Sequence, residues 1–466
     1  MSLDTRGSNR LTKHSPDQIQ TWDNAHFFHP WDAMDNEDAD RLIAAGGDGI
    51  HIIDADGNQF IDGPGGMWNV QIGYGRREMA DAIATQVLKL AYHNPWAFAS
   101  EPSALLARRL SQMAPGDLNQ VFFTTGGSSA VDSALRFAQF YNNLRGRPEK
   151  KLFVGRERGY HGSTYLAASV TGKDRFNNPL DIERRLVRFL PDINPYRRPA
   201  GVSEADWCDQ KVEDLARVIQ VEGAENIAAF IAEPVLASGG VIVPPEGYVR
   251  RTWELCRKHD ILYISDEVVT GFGRLGHWFA SEPVFGIVPD IITCAKGLTS
   301  GYLPLGAMIV SDRLISQISD NDQAEVMFKN GYTYSGHPVC CAAALKNIDI
   351  FEREGILEHV RAVTPHFQDR MRALSRHEIV GDVRGVGLLG CVEGTARPDL
   401  PEGKRLKIDM EFGRRVDEAC EARGLIVRPI LNMCVFSPPL IITRDQIDEM
   451  FDILDQAIQE VQAEML

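Results

Sequence analysis

Three short apolar runs in this 466-residue chain end on side chains that can do chemistry: "AAFIAE" on Glu233, "ILYISD" on Asp266 and "IITCAK" on Lys296. Each reads as a buried strand, short, continuous and rich in apolar and β-branched residues. In open α/β sheets ligands bind outside the carboxyl ends of the strands, so an acid, an acid and a lysine delivered there suggest one site. Taken singly, each has an ordinary reading: Asp266 and Glu267 as a solvated strand end, Lys296 as a snorkelling residue at the edge of the core. Taken together they suggest an amine whose partial burial lowers its pKa and frees it as a nucleophile or base, the chemistry of a Schiff-base lysine.

An aldehyde cofactor that uses such a lysine, pyridoxal phosphate, makes three further demands: an acid near its ring nitrogen, a phosphate cup and an aromatic face. Asp266 supplies the acid, which keeps the ring nitrogen protonated. The cup is "TTGGSSAVDSAL", where Gly126 and Gly127 allow close backbone approach and a helix opens at Ser128 or Ser129. The free amides of a helix N-terminus bind anions, and Ser129 with Asp132 fits a capping box that sets its start. Tyr160 in "RGYHGST" follows another apolar run and offers a ring.

The elements that must position these residues alternate. From about Glu78, helical spacing ("EMADAIATQVLKL", "SSAVDSALRFAQFY") is interleaved with strand runs ("QVFFTT", "KLFVGRE", "NIAAFIAEP", "ILYISDE", "DIITCAK"), the pattern of an α/β fold with a largely parallel sheet. Before it, a polar arm reaches to about Phe28, and "GIHIIDADGNQFID" is a hairpin around an Asp-Gly-Asn turn. After about Pro338 come a helix, strands near "VRGVGLLGCVEG" and "LIVRPI", and a closing amphipathic helix. Three parts are therefore expected: residues 1–77, an arm and hairpin packing with the small domain; 78–337, a large cofactor-binding domain; and 338–466, a smaller α+β domain.

Composition narrows the function class. A formal net charge of -15 argues against nucleic acid or an anionic membrane as partner, while one local arginine can still recruit a small anion. No run approaches the length of a membrane helix, and the polar start lacks a secretory signal. Eight cysteines without metal-ligand spacing suggest reduced core residues, no metal site and a cytoplasmic setting.

With these motifs in place the chain resembles the class III (ω-) aminotransferases, pyridoxal-phosphate enzymes of fold type I. The carrying segments are "FFTTGGSSAVDSALRFAQ", "RGYHGST", "AEPVLASGGVIVPPEGY", "YISDEVVTGFGRLGHWFA", "PDIITCAKGLTSGYLPLGA" and "NGYTYSGHPVCCAAA", in the family's order from about Trp31 to near the C-terminus. The resemblance implies an aspartate aminotransferase-like fold and assigns roles by position. Lys296 would hold the cofactor and move the 1,3-prototropic proton. Asp266 would face the ring nitrogen, with Val268 and Tyr160 on opposite ring faces. Gly127 and Ser128 would bind the phosphate, joined by Thr333 from a neighbouring subunit, which makes the active unit a homodimer, alone or paired with a second dimer into a tetramer. Glu233 matches the acid of the family's Glu-Pro segment, often facing an arginine. Ser129 stands where the family commonly has Glu, which puts in doubt the polar contacts usually made beside the cup.

The resemblance also suggests a substrate. Arg428 in "GLIVRPI" matches a mobile arginine that grips a carboxylate, and Trp68 and Trp96 match aromatic pocket walls of the ω-amino acid:pyruvate subgroup. A small donor with a terminal amine (β-alanine, 4-aminobutyrate, taurine) and pyruvate as acceptor, turned over by a ping-pong mechanism, is the expectation. An aminomutase, racemase or decarboxylase on the same scaffold is the rival, and a non-catalytic sensor a further one.

Overall fold

The structure, a computed structural model, describes residues 11–32, 39–173, 179–319, 327–395 and 401–466. Its centre is a seven-stranded sheet. Across it the strands run Leu118–Thr124, Gly306–Ser311, Ile291–Cys294, Leu262–Asp266, Ile227–Ala232, Leu152–Arg156 and Val187–Leu190. Gly306–Ser311 alone runs against the rest, hydrogen-bonded antiparallel to both neighbours, while the other pairs are parallel. The chain is thus α/β with a mostly parallel sheet, as its alternating pattern predicts.

Helices cover both faces, so the central strands carry apolar residues on each side. Ala229, Ile231 and Ile264 pack under the helix Gly127–Leu144 through Val131, Ala134 and Leu135. The alternate residues Phe230 and Tyr263 pack on the other face against Leu215, Ile219 and Cys256. All eight cysteines are buried and unpaired. No described helix is long and apolar enough to cross a membrane.

Two smaller sheets flank this core. The expected hairpin forms, with His51–Asp54 antiparallel to Gln59–Asp62. It lies in a four-stranded sheet with Ala44–Asp48 and, parallel to Gln59–Asp62, Leu425–Ile426. The second has Val380–Val386, Leu389–Gly394, Met433–Phe436 and, at its edge, Arg428–Ile430. The single strand expected over "LIVRPI" is therefore split between two sheets. Pro429, which has no amide hydrogen to give to a ladder, sits where only one neighbour needs bonding.

The polar arm is more ordered than its composition implies. Pro16–His26 is a helix with Pro at its start and Ser15 accepting from the Gln18 amide, and none of its residues is buried. The closing helix, Arg444–Met465, opens on a capping box made by Thr443 and Gln446. The cup's helix opens differently from the expectation. It begins at Gly127, so Ser129 is already inside it; its hydroxyl donates to the Gly126 carbonyl (2.9 Å) and accepts from the Thr125 amide (3.2 Å). Asp132 accepts from Thr164 (3.1 Å) instead, so no Ser129–Asp132 capping box exists.

Candidate active site

The carboxyl edge of the central sheet gathers the chemistry. Asp266 is the last residue of its strand, Glu233 directly follows Ile227–Ala232, and Lys296 stands two residues beyond Cys294. Lys296 takes a left-handed backbone conformation (φ 46°) and opens a tight helical turn, Lys296–Leu298, which swings its side chain off the strand axis. Its Nζ lies 4.8 Å from the centre of the Trp68 ring. Burial pushes the free amine's pKa down to about 8; Asp266 and Glu233 pull it up, and Arg428 adds to the depression. A substantial fraction is therefore uncharged at neutral to mildly basic pH, as nucleophilic attack on an aldehyde requires.

Asp266 is buried and tightly oriented. One carboxylate oxygen lies 2.7 Å from His161 Nδ1; the other accepts from Thr293 Oγ1 (3.1 Å) and the Val268 amide (3.2 Å). Glu267 has a separate task. It is wholly buried and accepts from Thr270 Oγ1 (3.0 Å), the Ala280 amide (2.7 Å) and both the amide and hydroxyl of Ser281, so it pins the returning loop beneath the site. Glu233 accepts from the Tyr160 and Ala237 amides, each at 3.0 Å, and burial raises its pKa. The fully buried Arg156 donates to the Glu233 main-chain carbonyl rather than to its carboxylate.

The cup is complete in its backbone. No side chain caps the helix Gly127–Leu144, so its first-turn amides are free to meet an anion. A Cβ on Gly127 would sit 3.1 Å from Val268 Cγ1, so glycine lets the helix start press against the residue two beyond Asp266. Ser128 Oγ accepts from the Ser163 amide (3.0 Å), which leaves its own hydrogen to donate. Tyr160, whose hydroxyl is 3.0 Å from Ser163 Oγ, lies along this side. An acid fixed for a protonated nitrogen, a lowered-pKa amine and an uncapped helix start fit pyridoxal phosphate.

On the open side, Trp68 is 4 % exposed, and the Arg428 guanidinium lies 5.4 Å from its ring centre, within electrostatic reach of Tyr160 and Lys296. Lys296, Asp266, Glu233, Tyr160, Gly127, Ser128, Val268, Trp68 and Arg428 are thus linked by contacts and charge at one edge of the central sheet. Trp96 and Thr333 do not join them within this chain: Trp96 is 88 % exposed, and Thr333 is exposed with its carbonyl accepting from Tyr92 (2.9 Å).

The sequence reading missed three residues. His161 stands in the quoted "RGYHGST", yet nothing in that segment names Asp266, 105 positions away, as its partner. Arg156 gave no signal beyond a strand-end arginine. Trp31, at the end of the polar arm, places its ring 5.7 Å from Tyr160.

Fold and site together define a pyridoxal-phosphate enzyme of fold type I. The family model of the class III aminotransferases matches residues 34–458, and the chain belongs to that family. It is 37 % identical to the putrescine–pyruvate aminotransferase of Pseudomonas aeruginosa, over 92 % of this chain and 93 % of that protein. It is 38 % identical to the diaminobutyrate–2-oxoglutarate transaminase of Halomonas elongata, over 91 % of each. Among solved structures, an (S)-enantioselective ω-transaminase from Thermomicrobium roseum superposes with a TM-score of 0.91 at 36 % identity, over 97 % of this chain and 100 % of that one. The protein is a pyridoxal-phosphate-dependent aminotransferase.

Proposed function

We propose that this transaminase moves an amino group from an ω-amino acid or small amine, such as β-alanine, 4-aminobutyrate or taurine, to pyruvate in a ping-pong cycle. The observation that carries it is Arg428, whose guanidinium rests on the same Trp68 ring as the Lys296 amine. A cleft with a cation for a carboxylate, an aromatic wall and a nearby nucleophilic amine suits an acid that is short beyond its reacting carbon. The Pseudomonas relative's pyruvate supports this acceptor.

Bound pyridoxal phosphate supplies an electron-withdrawing ring that makes the substrate's Cα–H acidic. The chain's residues do the rest. Asp266, held by His161, Thr293 and the Val268 amide, would face the ring nitrogen. Gly127 and Ser128 would hold the phosphate at the helix start, joined by Thr333 of a second copy. Val268 and Tyr160 would hold the ring, and Glu233 fixes the Tyr160 backbone. Lys296 would hold the cofactor through its amine, and its free Nζ would take up and return a proton. Arg428 orients the donor's carboxylate in one half of the cycle and the keto acid's in the other, with Trp68 and the second copy's Trp96 as walls.

The active unit is a homodimer, alone or paired into a tetramer, and the chain divides at residues 78 and 338, a division that the three sheets among the described residues support. Eight buried, unpaired cysteines support a cytoplasmic setting. The test is a donor panel against pyruvate with wild type and Arg428→Ala. Carboxylate-bearing substrates should lose at least about tenfold in kcat/KM, the worth of a charge-assisted pair, and 1-phenylethylamine as donor much less in its own half-reaction. Equal losses for both would sink the assignment of Arg428.

A further inference from the structure

Trp68 carries two cations on its ring, yet it stands in an awkward stretch of chain. Gly65, Gly66 and Trp68 all have positive φ (59°, 63° and 61°), a run that a non-glycine residue such as Trp68 adopts only if its surroundings hold it there. Asp62 is the group that holds it. It ends the strand Gln59–Asp62 and is completely buried. One of its oxygens accepts from the Gly66 amide (2.7 Å) and from the Tyr74 hydroxyl (2.6 Å).

A buried cation acts on this charge through its field alone; the other Asp62 oxygen has no hydrogen-bond partner among the described residues. Arg274, in the glycine-rich loop beyond Asp266, is wholly buried and donates to the carbonyls of Leu388 (3.0 Å) and Pro438 (2.6 Å). Burial raises the Asp62 pKa; Tyr74, the Gly66 and Gly65 amides and Arg274 oppose that rise. Burial and the neighbouring Asp62 charge both raise the Tyr74 pKa, so its phenol stays a donor. The donors thus converge on the turn, at the Gly66 amide and the Tyr74 hydroxyl.

We propose that Asp62 is a positioning residue for substrate binding: with Tyr74 it locks the Gly65–Trp68 turn and so sets the Trp68 face on which Arg428 and the Lys296 amine rest. The idea rests on the role given to Arg428 above. When the lock loosens, the ring shifts, Arg428 loses its platform, and carboxylate substrates bind less well while proton transfer at Lys296 is less affected.

Two variants test it, Asp62→Asn and Tyr74→Phe; the second removes a single donor and keeps the exercise decisive should the first not fold. Hydrogen exchange on the cofactor-free protein comes first. Amides of residues 63–70 should exchange about tenfold faster, the worth of one bond to a charged acceptor, while the central sheet is unchanged. In the loaded enzyme Tyr74→Phe should raise KM for pyruvate severalfold with kcat nearly kept, and should add nothing in a Trp68→Ala background, because coupled residues are not additive. Unchanged exchange, acceleration spread over the whole chain, or a KM loss that adds to that of Trp68→Ala would each overturn the proposal. Failure of Arg428→Ala to separate substrates would overturn the substrate reading instead, and leaves the exchange result standing.

Discussion

Lys296 and Asp266 were legible as single residues because a strand end is a local feature: an apolar run, then a side chain that has no business in a core. His161 was not, since a histidine after a tyrosine is ordinary until the fold brings Asp266 within 2.7 Å. Lys296→Ala should abolish turnover while circular dichroism and oligomeric state stay as in wild type; surviving transamination would refute the assignment. The lowered pKa of the Lys296 amine also sets how stability follows pH. The folded chain gives up this proton near pH 8 and the unfolded chain near 10.5, so between these values the unfolded state holds more protons. The cofactor-free protein therefore gains stability from this residue as pH rises through that window, and the gain is gone at and below about 8. Thermal melts of wild type against Lys296→Met should diverge in that direction, and pyridoxal phosphate capture should speed up with pH and level off above the amine's pKa.

Among elements, those with strong periodicity were legible, such as the helices Arg77–Lys89 and Pro338–Arg353 and five strands of the central sheet, while Val187–Leu190 and Gly306–Ser311 were not. Boundaries set by tertiary contact were not. "LIVRPI" reads as one strand because its residues suit one, and only the two competing sheets divide it. The cup's helix starts a residue early because Gly126 and Gly127 can lie against Gly306 and Val268, closeness that no spacing in the chain announces. Glu267 was legible only as an unremarkable acid beside Asp266; its partners lie on the loop that returns at Ala280 and Ser281. Glu267→Ala would leave those two buried amides unanswered, a loss of about 2 kcal/mol or more. It should lower the thermal inactivation temperature and the yield of cofactor-loaded protein, whereas Glu267→Gln should retain part of both.

At the scale of the molecule, fold class was readable from alternation, but the surface was not. Leu88 (89 % exposed), Trp96 (88 %) and Phe98 (66 %) expose three large apolar side chains within one short strip of sequence. Tyr92 ties the strip to the Thr333 loop through the Thr333 carbonyl and the Tyr334 ring. If this face meets a second copy, a Trp96→Asp, Phe98→Asp double variant should sediment as a monomer and lose activity together with its cup. A variant that stays dimeric and active would place the contact between copies elsewhere.

The one antiparallel strand of the central sheet, Gly306–Ser311, has a consequence for how this enzyme can change. It bonds on one side to the strand that leads into the phosphate cup and on the other to the strand that delivers Lys296. The distance between anchor and reactive amine is therefore ruled by main-chain bonds that no side-chain substitution rewrites. Arg428 and Trp68, by contrast, arrive from outside that sheet on an edge strand and a turn. Substrate preference can drift on the outer parts while the inner ruler keeps its length, so new amines can be recruited without rebuilding the chemistry.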